Sequence, residues 1–155
     1  MAIEIPAELS AALAVRRTAL LERAMGHVLN VGEVGLADAE GPYDTIYSFV
    51  HTPGEANLDG YVNGIRELLA PDAMVYFLEP TIRTGPLGRS LGLGGQVVRP
   101  MTGLYLDRDV PRAIRRAGLF ITDLHRFEIA SVAAPLRPFV EVWARFPTRS
   151  RSEPS

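Results

Sequence analysis

Between Tyr43 and Glu79 the chain reads YDTIYSFVHTPGEANLDGYVNGIRELLAPDAMVYFLE, and this stretch restricts the possible folds more than any other. Tyr43–Val50 is rich in β-branched and aromatic residues, which predicts a strand. The apolar period then lengthens. Leu58, Val62, Ile65 and Leu69 fall on one face of a helix over 57–70, and Asn57 is placed to cap it. Pro71 stands where a helix cannot continue. Ala73–Leu78, AMVYFL, is almost wholly apolar, as a central parallel strand covered on both faces must be. Strand, helix and strand in this order predict an α/β fold.

The flanking segments extend that picture. Residues 7–25 predict a helix after Pro6, with Leu9, Leu13, Leu20 and Ala24 at helical spacing and Gly26 to end it. His27–Val31, HVLNV, is a short strand candidate, and Gly32, Gly35, Gly41 and Pro42 mark 32–42 as a loop. Residues 80–106 form a long glycine-rich connection. Uncovered loops of that length are uncommon in compact domains and are often functional. Asp107 or Asp109 caps a short helix with Pro111 in its first turn, Ile114 and Ala117 inward, and Gly118 at its end. Leu119–Phe127 and Phe139–Phe146 predict two more strands joined by a wide hairpin. In the second, Val140, Val142 and Ala144 share one face while Phe139, Glu141 and Trp143 share the other. At 155 residues the chain suits one domain, here 1–147, with a polar tail, 148–155, expected to be disordered.

Composition excludes several function classes. A net charge of −2 offers no electrostatic footprint for nucleic acid. With no cysteine there is no disulfide, thiolate metal site or cysteine nucleophile, which fits a reducing, cytoplasmic setting. No apolar run approaches the roughly 20 residues of a membrane span. His27, His51 and His125 are too far apart to make a metal-spacing motif.

Several local sequences resemble the methyltransferase type 11 group of the class I S-adenosylmethionine-dependent methyltransferase fold, over about 43–147. Tyr43–Asp44 is similar to the aromatic–Asp pair that opens the family's fourth strand, and HTPGEAN to the Pro-containing loop that follows. Arg66–Ala73, RELLAPDA, stands where the family has an R-x-L-x-P-G-G turn, with both glycines replaced. Glu79–Pro80 matches a fifth strand ending in Glu. RAIRRAGLFITDLHRFEI resembles the last helix and sixth strand. The resemblance implies a Rossmann-like sheet of about five strands, mostly parallel with an antiparallel C-terminal strand. It also implies S-adenosylmethionine as the cofactor, approached by Gly32 and Gly35.

The cofactor half departs from that pattern. The family's V-L-D-V-G-x-G-x-G loop corresponds to Val28–Leu36, VLNVGEVGL, in which only Gly32 is in register and Asn30 replaces the acidic residue. Side chains here obstruct the backbone's approach to the cofactor. Between Gly35 and Tyr43 there is no room for the family's second and third strands, the second of which carries the acidic ribose ligand. A hydrogen bond to a charged group contributes about 1.5–3 kcal/mol, so two lost contacts weaken binding by roughly two to four decades. Weak or absent cofactor binding is expected. If 27–31 and 44–50 are parallel neighbours, the loop must return about 17 Å, within its reach of about 35–40 Å but tight for a parallel crossover. The missing strands would expose a sheet edge, which predicts a homo-oligomer or a heteromer with an intact methyltransferase.

His51 and Glu79 are the candidate catalytic residues. His51 follows the strand beside which a methyl acceptor would lie, and could serve as a general base or be a plain loop histidine. Glu79 ends a strand where open α/β sheets place their ligand crevice. It could bind or deprotonate an acceptor, or be a solvated carboxylate paired with Arg83 or Arg89. His125 reads as structural, Leu91–Gly95 (LGLGG) as a turn, and Arg112, Arg115 and Arg116 as a solvated helix face. The expected function is a methyltransferase-like binding or regulatory subunit, with a small apolar ligand near His51, Glu79 and the 80–106 loop. The alternative is an active small-molecule methyltransferase whose site is completed by oligomerisation.

Overall fold

The computed structural model describes residues 7–82, 105, 108–132 and 137–147. Among the described residues the sheet has five strands in the order β1-β2-β3-β5-β4: β1 Val28–Asn30, β2 Tyr43–Phe49, β3 Leu69–Pro80, β4 Phe120–Glu128 and β5 Pro138–Arg145. β1, β2 and β3 run parallel, and β5 lies antiparallel between β3 and β4. The first strand is therefore retained, with Val28 opposite Thr45, and residues 31–42 make the return with one 3-10 turn at Leu36–Asp38.

Helices cover both faces. α1, Ala7–Leu21, lays Leu9, Leu13 and Leu20 against Tyr47, Phe49, Tyr76, Leu78 and Phe139. On the other face, α2 (Leu58–Glu67) and α3 (Val110–Arg116) bring Val62, Ile65, Ala113 and Ile114 against Ile46, Val75, Phe77, Val140 and Val142. Alternate residues of β3 and β5 thus enter opposite cores, as the apolar run 73–78 and the two-faced pattern of 139–144 predict. Two helix starts follow their sequence signals. Asn57 accepts from the Gly60 amide, and Asp109 from the Arg112 amide.

Three boundaries differ from the sequence expectation by three residues or more. α1 stops at Leu21 rather than 25, and Ala24 is exposed. Tertiary bonds decide this: the Met25 amide donates to Thr45 Oγ1 and the His27 amide to Asp44 Oδ2. Leu69 does not extend α2. It opens β3 opposite Tyr43, and the ladder then breaks over Pro71, which has no N–H, and Asp72, whose φ is 62°. Regular pairing resumes at Met74. The strand expected to start at Ala73 is therefore longer, although its regular part begins close to the expected place. The wide hairpin is met by antiparallel β4 and β5, with 133–136 outside the described residues. The LGLGG turn, Arg83, Arg89, Asp107 and the 148–155 tail lie outside them too.

Gly26 joins α1 to β1 with φ 63°, and a Cβ there would run into the Asp44 carboxylate that holds the His27 amide. Gly26→Ala is expected to cost about 2 kcal/mol or more, from left-handed backbone strain plus the displaced carboxylate. Urea unfolding measures it. A change below about 0.5 kcal/mol would show that the junction relaxes freely.

Candidate functional site

The carboxyl ends of β2 and β3 carry a buried polar cluster centred on Glu79. Ser48 on β2 and Glu79 on β3 point to the α2 face, since they continue the alternation of Ile46, Val75 and Phe77. β2 then ends abruptly. Val50 has φ 49°, a left-handed conformation that is costly for a β-branched residue, and a 3-10 turn follows at Thr52–Gly54. This bend turns two successive amides inward. The His51 N–H donates to both Glu79 oxygens at 3.0 Å, and the Thr52 N–H to Oε2 at 3.1 Å. Thr52 Oγ1 donates to Oε2 at 2.9 Å and Ser48 Oγ to Oε1 at 2.6 Å. The strained backbone of Val50 is held by these bonds and by its own N–H to the Leu78 carbonyl.

Glu79 is 0% exposed, so it is not the solvated strand-end carboxylate that its position in the sequence allows. Burial pushes its carboxyl up to about 7, while the donors from Ser48, His51 and Thr52 pull it down. Because Ser48 gives its hydrogen to the carboxylate, Tyr61 on α2 supplies the hydrogen in the 2.7 Å Tyr61 OH–Ser48 Oγ bond. Burial, and then the Glu79 charge, hold the Tyr61 hydroxyl well above its ordinary range, so it stays protonated.

His51 lies at the rim of this cluster. Its ring stacks on Tyr61 at 5.1 Å between centroids, and Nε2 lies 3.0 Å from Glu55 Oε1. A histidine oriented by a carboxylate has its other ring nitrogen left for proton transfer. The structure therefore brings His51 and Glu79 together, but through the His51 backbone rather than its ring. Sequence reasoning missed Ser48, Thr52, Glu55 and Tyr61. Two signals were there: a serine inside an apolar strand, and an acidic residue four positions after His51.

Both stems of the 83–104 segment start at this site. The Ile82 amide and Thr81 Oγ1 donate to the Arg108 carbonyl, the Tyr105 amide donates to the Pro53 carbonyl, and Arg108 reaches the Glu55 and Ala56 carbonyls. A cavity of about 250 Å³ opens beside Thr81 and Ile82, lined by Phe127, Pro138 and Phe139 and by the charged Arg126 and Glu128.

Gly32 and Gly35 lie past β1 at the same end of the sheet. The Gly32 amide is occupied by Asn30 Oδ1 at 3.1 Å. Around Gly35 nothing stands within 4 Å of a notional Cβ, and Val34 is 42% exposed. Asp38 and Glu40 are exposed, and neither is on a strand. Among the described residues no cluster of three histidine or acidic side chains could hold a metal, and no helix is long and apolar enough to cross a membrane.

No family model and no curated protein matches the sequence. Solved structures do match. A geranyl diphosphate methyltransferase in complex with GPP and sinefungin superposes with a TM-score of 0.62 at 11% identity, over 90% of this chain and 81% of its own. The N-methyltransferase NodS from Bradyrhizobium japonicum WM9, with S-adenosyl-L-homocysteine, gives 0.60 at 10% identity, over 90% and 87%. A complex between the Haloferax volcanii Trm112 methyltransferase activator and a candidate methyltransferase gives 0.60 at 10% identity, over 90% and 94%. These likenesses establish the fold: a shortened, Rossmann-like sheet of the class I methyltransferase type.

Proposed function

We propose that this chain is a binding or regulatory subunit built on the methyltransferase fold, working as one unit over 1–147 beside an intact methyltransferase. The observation that carries the reading is the connection between β1 and β2. Residues 31–42 are described throughout, and they hold a single 3-10 turn and no strand. No carboxylate is therefore presented at a strand end to the ribose hydroxyls of S-adenosylmethionine. Asn30 already occupies the Gly32 amide, and Val34 stands between the two glycines. The residues present do not fit self-sufficient binding of that cofactor. The Trm112 complex supports a heteromeric role, because there a chain of similar fold is joined to an activator. The cavity beside Thr81 and Ile82 suits a small ligand whose apolar part meets Phe127 and Phe139 and whose polar part meets Arg126 and Glu128.

A second reading is favoured by the His51–Glu55 pair, which has the geometry of an oriented general base. On that reading the chain is a small-molecule methyltransferase whose cofactor site a second chain completes. Gly32 and Gly35 then line the cofactor, and Glu79 positions His51 through its amide.

Calorimetric titration with S-adenosylmethionine and S-adenosylhomocysteine, with oligomeric state followed in parallel, separates the two. The subunit reading expects no saturable binding below about millimolar ligand, given the roughly two to four decades lost with the ribose contacts. Micromolar binding, with turnover abolished in His51→Ala, would establish the enzyme instead.

A further inference from the structure

The edge strand β4, which no other described strand pairs on its outer side, has a charge pattern that fits a second copy of itself. β4 ends the sheet opposite β1, and most of its residues are exposed although it pairs with β5 over nearly its whole length. An edge of this kind presents a row of unpaired backbone groups. We infer that this edge is a homodimer interface, in which two β4 strands pair antiparallel about a two-fold axis at Leu124 and form one continuous ten-stranded sheet.

The register follows from the side chains. An antiparallel pair centred on Leu124 sets Asp123 opposite His125 of the second copy, and His125 opposite its Asp123. The imidazole can donate to the carboxylate whether it is neutral or charged. The same register brings Arg126 to Thr122, where the strand bulges. Moving the centre by one or two residues destroys this match. A centre at Asp123 places two carboxylates face to face, one at His125 opposes the two histidines, and one at Arg126 opposes two guanidinium groups. Leu124 is half-buried against the α2 and α3 core, so meeting its own copy would carry that core across the interface. The bulge between Ile121 and Asp123 twists the strand at Thr122 but leaves Asp123–Glu128 regular.

The chain has no cysteine, so one introduced thiol reports the register directly. In the full-length protein, Leu124→Cys would meet its own copy with Cβ atoms about 4.5–5.5 Å apart, close to disulfide reach. Phe120→Cys would lie about 27 Å from its counterpart, eight strand positions away. The expected result is a dimer by sedimentation and a covalent dimer on mild oxidation of Leu124→Cys, but not of Phe120→Cys. Asp123→Lys should weaken dimerisation on the order of tenfold or more. Exchanging the pair, Asp123→His with His125→Asp, should restore it. Both positions are exposed, so folding is not at issue. A monomer at all concentrations, a dimer indifferent to Asp123→Lys, or cross-linking through Phe120→Cys would overturn the inference. So would a monomer in which β4 becomes protected only with a different protein.

Discussion

Glu79→Ala is expected to lower stability at pH 5 by about 4 kcal/mol, the largest effect of any single substitution at the site. The change strips the partner from the His51 and Thr52 amides and from the Thr52 hydroxyl, all directed inward at the carboxyl group. Each buried donor left without an acceptor costs about 1–3 kcal/mol, and a water entering the vacated space recovers part of that. The left-handed backbone at Val50 also loses the bonds that hold it. For a chain of this length the melting temperature should fall by roughly 10 °C. Thermal and urea unfolding measure the total, and amide exchange at His51 and Thr52 locates it. A loss below about 1 kcal/mol, or unchanged protection at those two amides, would show that Glu79 does not hold the end of β2.

The same cluster shows what could and could not be read from the chain. The β2–α2–β3 unit was legible because local periodicity and tertiary burial agree there: Leu58, Val62 and Ile65 form the buried stripe, and Val75, Tyr76, Phe77 and Leu78 fill both faces of β3. Asn57 and Asp109 could be placed because a cap is a local device spanning three residues. Glu79 was found as a position but not as an environment. Its donors lie 27 to 31 residues earlier, and two are backbone amides aimed by a left-handed valine, a conformation that no residue type announces. An acidic residue after an apolar run reads as the wet end of a strand, and only long-range pairing makes it dry. The end of α1 failed for a related reason. Ala24 keeps helical spacing, but Thr45 and Asp44 on β2 capture the Met25 and His27 amides. β1 is three residues long, too short for its parallel pairing to be fixed by pattern alone.

Between pH 4.5 and pH 7 the protein should lose about 3 kcal/mol of stability as the pH rises, and Glu79→Gln should abolish that loss. Burial raises the Glu79 carboxyl from its ordinary 4.5 to about 7 in the folded chain. Within that window the native state holds a proton that the unfolded state has released, so stability falls with rising pH. A displacement of this size corresponds to about 3 kcal/mol, with no further slope from this group above the window or below it. In the protonated form Oε1–H donates to Ser48 Oγ and Oε2 still accepts from the His51 and Thr52 donors, while the Ser48–Tyr61 pair is left with one hydroxyl hydrogen more than it has acceptors. Glutamine preserves that arrangement when its amide NH₂ faces Ser48, so the variant should stay folded with a flat profile across the window. The cost of Glu79→Ala should shrink for the same reason, from about 4 kcal/mol at pH 5 to about 1 at pH 8, because alanine also removes the penalty of a buried charge. Urea unfolding of the three proteins at pH 5 and pH 8 closes this cycle. A wild-type stability that rises between those values in step with Glu79→Gln would mean that four donors outweigh burial, and that the carboxylate is charged throughout.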